Sequence, residues 1–576
     1  MSNPASRYAE ILLGSLISKG LTDIVVSPGS RSQALALAAA DYESQGVIQL
    51  RVVVDERSAA FVALGAALET KRPVVVITTS GSAVGNLMPA VMESSHAGVP
   101  LIVITADRPD ELRGIASNQT TVQEKFFSPF TRSFYEVPAP TGSEKKSEIE
   151  KLAEKAWTSA QTGPVQINFA AREPLSGPTA GFEQETGEIL LPNLSDTGQV
   201  DSDTGEVIPA RHSAPTAEAT NFTSDAPESK NQWLALLKPR SLAIDPSANT
   251  VVIAGDKAGP EAEKLADEMR APLFAEVTSG ARFGPNVIVY WRELLKTELR
   301  DQIEQVVIFG HPTLWREVAE LCALHRVRTF VTPSPGIHQY VPAGASKVRI
   351  GRLSSKGHGD QRWLKQWRML DQELETELNP IESTADLSAS EYARAEMQAG
   401  REAITRKSLV DAIWRHTWPH DRLIFGSSRL IRVADANVPR KNIVAYGNRG
   451  LAGIDGTIAT AVGVASSQPG TTRVLLGDLA TLHDIGSLQL AAPLKNLQIV
   501  VGNDRGGSMF DLLEVKNDAS PELFDRVMYT PHSTNFEGLS YGFGLEYKQA
   551  KTRTELEAAL SEQSDRAVLI EVPLER

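Results

Sequence analysis

Cysteine is all but missing from this 576-residue chain, Cys322 being its single instance. One thiol excludes an internal disulfide, and it excludes a thiolate cage for zinc or an iron–sulfur cluster. Long apolar runs are missing too; no stretch of about 18 occurs, so no integral membrane segment is expected. The start, Met1-Ser-Asn-Pro-Ala-Ser-Arg7, does not lead from basic residues into an apolar stretch, and no secretion signal is expected. Positive charge is in deficit: 58 Lys and Arg stand against 71 Asp and Glu, a formal net charge of −13. Such a surface repels phosphate backbones, so nucleic acid is not an expected partner. What the chain does have is length and 41% hydrophobic residues, enough for several large cores. The expectation is a cytoplasmic, multidomain α/β protein.

The apolar residues come as short β-branched runs separated by helical stretches. Residues 24–26, 52–54, 73–77 and 101–104 read as strands, with helices over 33–40 and 59–69. Continuous runs of this kind fit strands buried on both faces, hence parallel sheets flanked by helices. Such sheets bind ligands beyond the carboxyl ends of their strands, where the polar clusters of this sequence fall. A second alternation includes strands at 249–254, 306–309 and 329–331 and a helix over 261–269. A third includes strands at 423–425, 443–445, 474–476, 497–501 and 568–572. Between them the composition turns polar and acidic. The expected layout is an N-terminal α/β domain over 1–185 and an acidic linker or excursion over 186–230. A central α/β domain over 231–375, a linker over 376–400 and a C-terminal α/β domain over 401–576 follow. Residues 254–259 follow a strand but lack Gly-x-Gly-x-x-Gly, so nucleotide binding is not expected there. Cys322 falls in an apolar helical context and reads as inert. The histidines show no metal-ligand spacing, and solvated or structural roles are their default.

The most informative segment is Leu475-Leu-Gly477-Asp478-Leu479, followed after a helical stretch by Asn503-Asp504-Arg505-Gly506-Gly507. Acidic or amide side chains at the ends of neighbouring strands supply hard oxygen ligands. Gly477 allows the tight turn that lets helix-start amides face a diphosphate. Magnesium suits such a site, because it binds one or two carboxylates together with phosphate oxygens. By itself, Asp478 reads equally well as a helix cap. Either Asn503 or Asp504 is a candidate second ligand.

The pair of motifs resembles the diphosphate-binding signature of thiamine diphosphate enzymes. The resemblance implies that Asp478, Asp504 and the Gly506 carbonyl hold the metal, with Leu479 beside the cofactor. Asp504 and Arg505 depart from the family's Asn, which keeps a ligand oxygen and favours harder or larger ions such as manganese. The family also needs a glutamate at a strand end of another α/β domain. Val54-Asp55-Glu56-Arg57 matches it, with Glu56 as the acid that hydrogen-bonds the cofactor's pyrimidine ring. Ile454, between two glycines, matches the apolar residue over which the family bends its cofactor.

Further peptides narrow the resemblance. Ser27-Pro-Gly-Ser-Arg-Ser32, Thr79-Ser-Gly-Ser82, Thr105-Ala-Asp-Arg-Pro109, Ser117-Asn-Gln119 and Ala170-Ala-Arg-Glu-Pro-Leu175 stand in order in the first third. Gly447-Asn-Arg-Gly450 and Gly453-Ile-Asp-Gly456 stand in the last. The set resembles the 2-succinyl-5-enolpyruvyl-6-hydroxy-3-cyclohexene-1-carboxylate synthases, thiamine-dependent transferases of menaquinone biosynthesis. That implies decarboxylation of 2-oxoglutarate and addition of the resulting succinyl-semialdehyde carbanion to isochorismate, with thiamine diphosphate and Mg2+ (or Mn2+) as cofactors. The family's substrate-binding positions match Ser30, Arg31, Arg108, Asn118, Gln119, Ser428, Arg432 and Arg449. Arg316 is the nearest match in the middle of the chain, where a surface ion pair is the plainer reading. In the family the glutamate and the metal ligands come from different subunits, which implies a homo-oligomer, dimer or tetramer, with sites at the interface. The rival readings are an acetolactate synthase-like lyase or synthase, and a non-catalytic protein that keeps only the cofactor fold.

Overall fold

The first block of β-branched runs forms a six-stranded sheet: β1 (Asp23–Val26), β2 (Gln49–Val52), β3 (Val74–Thr78), β4 (Leu101–Asp107), β5 (Ser133–Val137) and β6 (Pro164–Ala170). In this computed structural model, which describes residues 3–177, 241–378 and 388–576 apart from 335, 337, 346, 347 and 356, the strands lie in the order β2-β1-β3-β4-β6-β5. All are parallel. β3, β4 and β6 are buried at every residue, as apolar strands covered on both faces must be.

The expected strand at 52–54 is corrected: the strand runs Gln49–Val52 and stops there. It is an edge strand whose register with β1 ends at Val26 opposite Val52. Beyond it the chain turns out to cap a helix at Asp55, leaving Val54 82% exposed.

The middle of the chain holds β7 (Ser241–Ile244), β8 (Thr250–Ala254), β9 (Leu273–Ala275), β10 (Gln305–Phe309), β11 (Arg328–Val331), β12 (Val348–Ile350) and β13 (Arg352–Ser355). Five of them form a parallel sheet in the order β12-β11-β10-β8-β9, and β7 pairs with β13. The last block gives β14 (Arg422–Phe425), β15 (Val444–Gly447), β16 (Thr472–Gly477), β17 (Leu497–Asn503), β18 (Glu546–Gln549) and β19 (Val568–Pro573), ordered β15-β14-β16-β17-β19-β18. The first and last sheets therefore share one connectivity. In each, the chain reverses direction across the sheet beside the first strand, between β1 and β3 and between β14 and β16. Ligand-binding crevices open at such reversals.

The expected linker over 186–230 lies outside the described residues. Of the linker over 376–400, residues 379–387 lie outside them too, and the chain flanking these is helical over Gln361–Leu378 and Ala389–Gly400. No helix among the described residues is long and apolar enough to cross a membrane.

The first and last sheets are joined through two helices, Glu56–Thr70 and Thr457–Ala465. Ser58 to Leu68 are buried without a break, because this helix packs on its own sheet and on its neighbour. A Cβ on Gly65 would lie 2.1 Å from the Thr460 carbonyl oxygen, and one on Gly463 2.1 Å from that of Val62. Glycine at both points lets the backbones touch, and one apolar core runs through both units.

Candidate active site

β16 ends at Gly477, and Asp478 opens the short helix Asp478–His483. β17 ends at Asn503, after which the chain folds back through Asp504 to Ser508. Between these strand ends lies a cleft lined by Ser428, Ile454, Gly477, Asp478, Leu479, Asp504 and Gly506, together with Arg406 and Arg429. A Cβ on Gly477 would project to within 3.7 Å of Ser428, across the cleft floor.

Asp478 is 2% exposed. Its Oδ1 accepts the Leu479 N–H at 2.7 Å and its Oδ2 the Gly506 N–H at 2.9 Å. His532 Nε2 lies 3.0 Å from the same Oδ2. Burial, and then the nearby Asp504 carboxylate, raise the Asp478 pKa. Asp504 Oδ2 accepts from the Arg406 guanidinium at 2.6 Å and from the Ser508 hydroxyl. Tyr529 donates its phenol to the Asp504 carbonyl. Asn503 faces elsewhere: its amide donates to Glu571 Oε1 at 2.6 Å, and its Oδ1 accepts the Arg505 N–H at 3.0 Å. Of the two candidate ligands, then, Asp504 lines the cleft.

Glu56 is the first residue of its helix, and Asp55 caps that helix by accepting the N–H groups of Arg57 at 2.9 Å and Ser58 at 3.3 Å. Glu56 is half-buried, and its Oε2 accepts from the Asn86 amide at 3.3 Å. Next to it, the Arg57 guanidinium donates to the His483 carbonyl at 2.9 Å, and Ser58 Oγ lies 3.0 Å from Ser487 Oγ. The start of the Glu56 helix thus meets the end of the Asp478 helix within one chain. Glu56 itself stands outside the cleft lining.

Ser30, Arg31, Arg108, Asn118 and Gln119 gather beyond the carboxyl ends of β1 and β4 and do not line the Asp478 cleft. Arg31 is buried and donates to the Ala171 carbonyl at 2.9 Å; burial and then Arg108 lower its pKa. Arg108 donates to the Ser80 hydroxyl, which donates to the Gln119 carbonyl at 2.9 Å. Ser30 and Asn118 are exposed in the same loops.

On the other side, Arg432 donates to the Ser428 carbonyl at 3.2 Å, and burial and then Arg449 lower its pKa. Arg449, 2% exposed, donates to Ser427 Oγ at 3.1 Å and to the Thr313 hydroxyl at 3.0 Å. Among the described residues neither Arg432 nor Arg449 forms an ion pair with a carboxylate. Arg316 is not drawn in: its side chain is 78% exposed, 3.9 Å from Glu514.

The family described as "Thiamine pyrophosphate enzyme, N-terminal TPP binding domain" matches residues 6–128. A 2-succinyl-5-enolpyruvyl-6-hydroxy-3-cyclohexene-1-carboxylate synthase of Leifsonia xyli subsp. xyli is 45% identical, over all of this chain and 97% of its own length. Synthases of the same name from Clavibacter michiganensis subsp. michiganensis and Arthrobacter sp. are 42% and 36% identical, over 100% and 99% of this chain and 97% and 90% of their own lengths. The chain belongs to the 2-succinyl-5-enolpyruvyl-6-hydroxy-3-cyclohexene-1-carboxylate synthase family. It is a thiamine diphosphate-dependent enzyme, as its motifs imply.

Several residues of the family's cleft escaped the sequence reading. Ser508 closes the Gly506-Gly507-Ser508 run and was open to detection from it. Arg406 begins a helix about 100 positions upstream of Asp504, and no spacing announces it. His532 carries no ligand spacing, yet it touches Asp478 rather than solvent. No three His, Cys, Asp or Glu side chains converge on a metal position among the described residues. Two carboxylates in a cleft are nonetheless the set magnesium needs when phosphate oxygens complete its shell.

Proposed function

We propose that this chain, as a cytoplasmic enzyme of menaquinone biosynthesis, decarboxylates 2-oxoglutarate and transfers the remaining four-carbon unit to isochorismate. The observation that carries the reading is the meeting of Asp478 and Asp504 in one cleft of a chain related along its whole length to synthases of that product. Asp478, Asp504 and the Gly506 carbonyl would hold Mg2+ (or Mn2+) and, through it, the diphosphate. Thiamine diphosphate supplies, when bound, a nucleophilic carbon and an electron sink for the loss of carbon dioxide. Glu56 would hydrogen-bond the pyrimidine nitrogen, and Ile454 would give the cofactor apolar support. Gly477 and Leu479, which line the cleft, would flank the diphosphate.

Both substrates carry carboxylates, which the planar forks of Arg31, Arg108, Arg432 and Arg449 suit. Ser30, Asn118, Gln119 and Ser428 add neutral hydrogen bonds. In this reading residues 1–185 form the pyrimidine-binding domain, 231–375 the central domain, and 401–576 the diphosphate- and metal-binding domain. The chain works as a homo-oligomer, dimer or tetramer, with sites at the interface. The exposure of Val52 and Val54 beside Glu56, and of Leu451 and Leu512 beside the cleft, supports that arrangement.

The test is incubation with thiamine diphosphate, magnesium, 2-oxoglutarate and isochorismate, following the loss of isochorismate absorbance. Turnover that stops when any one component is omitted supports the reading. Turnover without the cofactor, or none with all four components, refutes it.

A further inference from the structure

Two buried carboxylates outside the cleft support Arg449, one through the loop that carries it and the other through Thr313. Glu93, in the helix Met88–Ala97, is 4% exposed. Its Oε1 accepts the Gly450 N–H at 2.7 Å and its Oε2 the Leu451 N–H at 2.8 Å. Glu276, just past β9, is also 4% exposed. Its Oε1 accepts the N–H groups of Thr313 at 2.8 Å and Leu314 at 2.9 Å, and its Oε2 the Thr313 hydroxyl at 3.3 Å. Thr313 in turn holds Arg449: Oγ1 accepts from Nε at 3.0 Å and the carbonyl from Nη2 at 3.2 Å.

Burying a carboxylate is unfavourable, and packed apolar residues serve stability as well or better. What these two supply instead is a set of acceptors. Glu93 fixes the main chain directly after Arg449, and Glu276 fixes the residue that grips the Arg449 side chain. With Nε, one Nη1 hydrogen and one Nη2 hydrogen committed to Thr313 and Ser427, each terminal nitrogen keeps, among the described residues, one N–H for a ligand.

We infer that Glu93 and Glu276 are positioning residues that set the direction in which Arg449 presents its guanidinium to a substrate carboxylate. The inference rests on the reading of Arg449 as a carboxylate-binding residue. It makes the first and central units part of substrate selection even where they do not touch the Asp478 cleft.

Steady-state kinetics of Glu93→Gln, Thr313→Val and Arg449→Ala, alone and combined, test it. Gln replaces one acceptor oxygen with an NH2 group facing an N–H, and Val removes the hydroxyl link at constant volume. Each should raise the KM of the substrate whose KM Arg449→Ala raises by about tenfold, with kcat within about threefold. Neither should add to the effect of Arg449→Ala in the double variant, since coupled residues are non-additive. Full additivity overturns the inference, as does a wild-type KM in Glu93→Gln and Thr313→Val when Arg449→Ala raises it. If Glu93→Gln does not fold, Thr313→Val alone decides by the same two criteria. A wild-type KM for both substrates in Arg449→Ala instead refutes the reading of Arg449 itself.

Discussion

Asp478 sits 2% exposed with a second carboxylate, Asp504, close enough to raise its pKa. An acid whose pKa rises on folding holds its proton more tightly when folded. Its contribution to stability is therefore full at low pH and is lost as pH climbs from its ordinary 3.8 through the raised value. Asp478→Asn should thus flatten the fall in melting temperature of the cofactor-free chain as pH rises above about 4. It should also abolish the gain in melting temperature on adding magnesium and thiamine diphosphate, a gain worth about 2.7 kcal/mol at a hundredfold excess over Kd in the unaltered chain. An unaltered pH dependence in the cofactor-free variant would contradict this. Cys322 offers a second check. Burial pushes its thiol up to about 11, so a thiol reagent at neutral pH should label it only after denaturation. Rapid labelling of the native chain is the opposing result.

These residues also mark how far the sequence could be read. Asp478, Asp504, Gly506 and Ile454 stand at strand ends and tight turns, where local spacing carries the information, and the fold brings them to one cleft. Arg406 and His532 reach Asp504 and Asp478, and Glu93 and Glu276 the surroundings of Arg449, from remote positions. Only tertiary packing brings them there, and no local pattern encodes it.

Strands and helices follow the same division. Runs such as 73–77 and 101–104 declared themselves because a strand buried on both faces must be continuously apolar. β2 was misplaced because an edge strand needs only one partner, so the valines at 52 and 54 face outward. The close contact of the Glu56–Thr70 and Thr457–Ala465 helices left only glycines as its trace. There, Gly65→Val should destabilise by about 1–3 kcal/mol, since its Cβ would meet the Thr460 carbonyl at 2.1 Å. It should also lower turnover, because the same helix carries Glu56. Urea denaturation checks the first effect, and an unchanged midpoint would count against the packing described.

The assembled chain poses a question of which subunit supplies what. The Glu56 and Asp478 helices touch within one chain, whereas the family resemblance places the two residues in different subunits. Mixing Glu56→Gln with Asp478→Ala distinguishes these arrangements. Sites built between subunits should recover about a quarter of normal activity in an equimolar mixture, because about half of the dimers are hybrids and one of the two sites in each is intact. No recovery would assign both residues to one chain. That distribution was beyond sequence reasoning, which sees two residues 422 positions apart and not the symmetry that relates their copies.

Whichever subunit contributes each residue, Glu56, Asp478 and Asp504 should serve one thiamine diphosphate that acts on 2-oxoglutarate. Release of labelled carbon dioxide from 2-oxoglutarate marked at its first carbon, measured with isochorismate present, addresses this without intermediaries. The expected result is one carbon dioxide per isochorismate consumed, none from pyruvate, and none in Glu56→Gln or Asp504→Ala. Release from pyruvate, or undiminished release in those variants, would contradict the assignment.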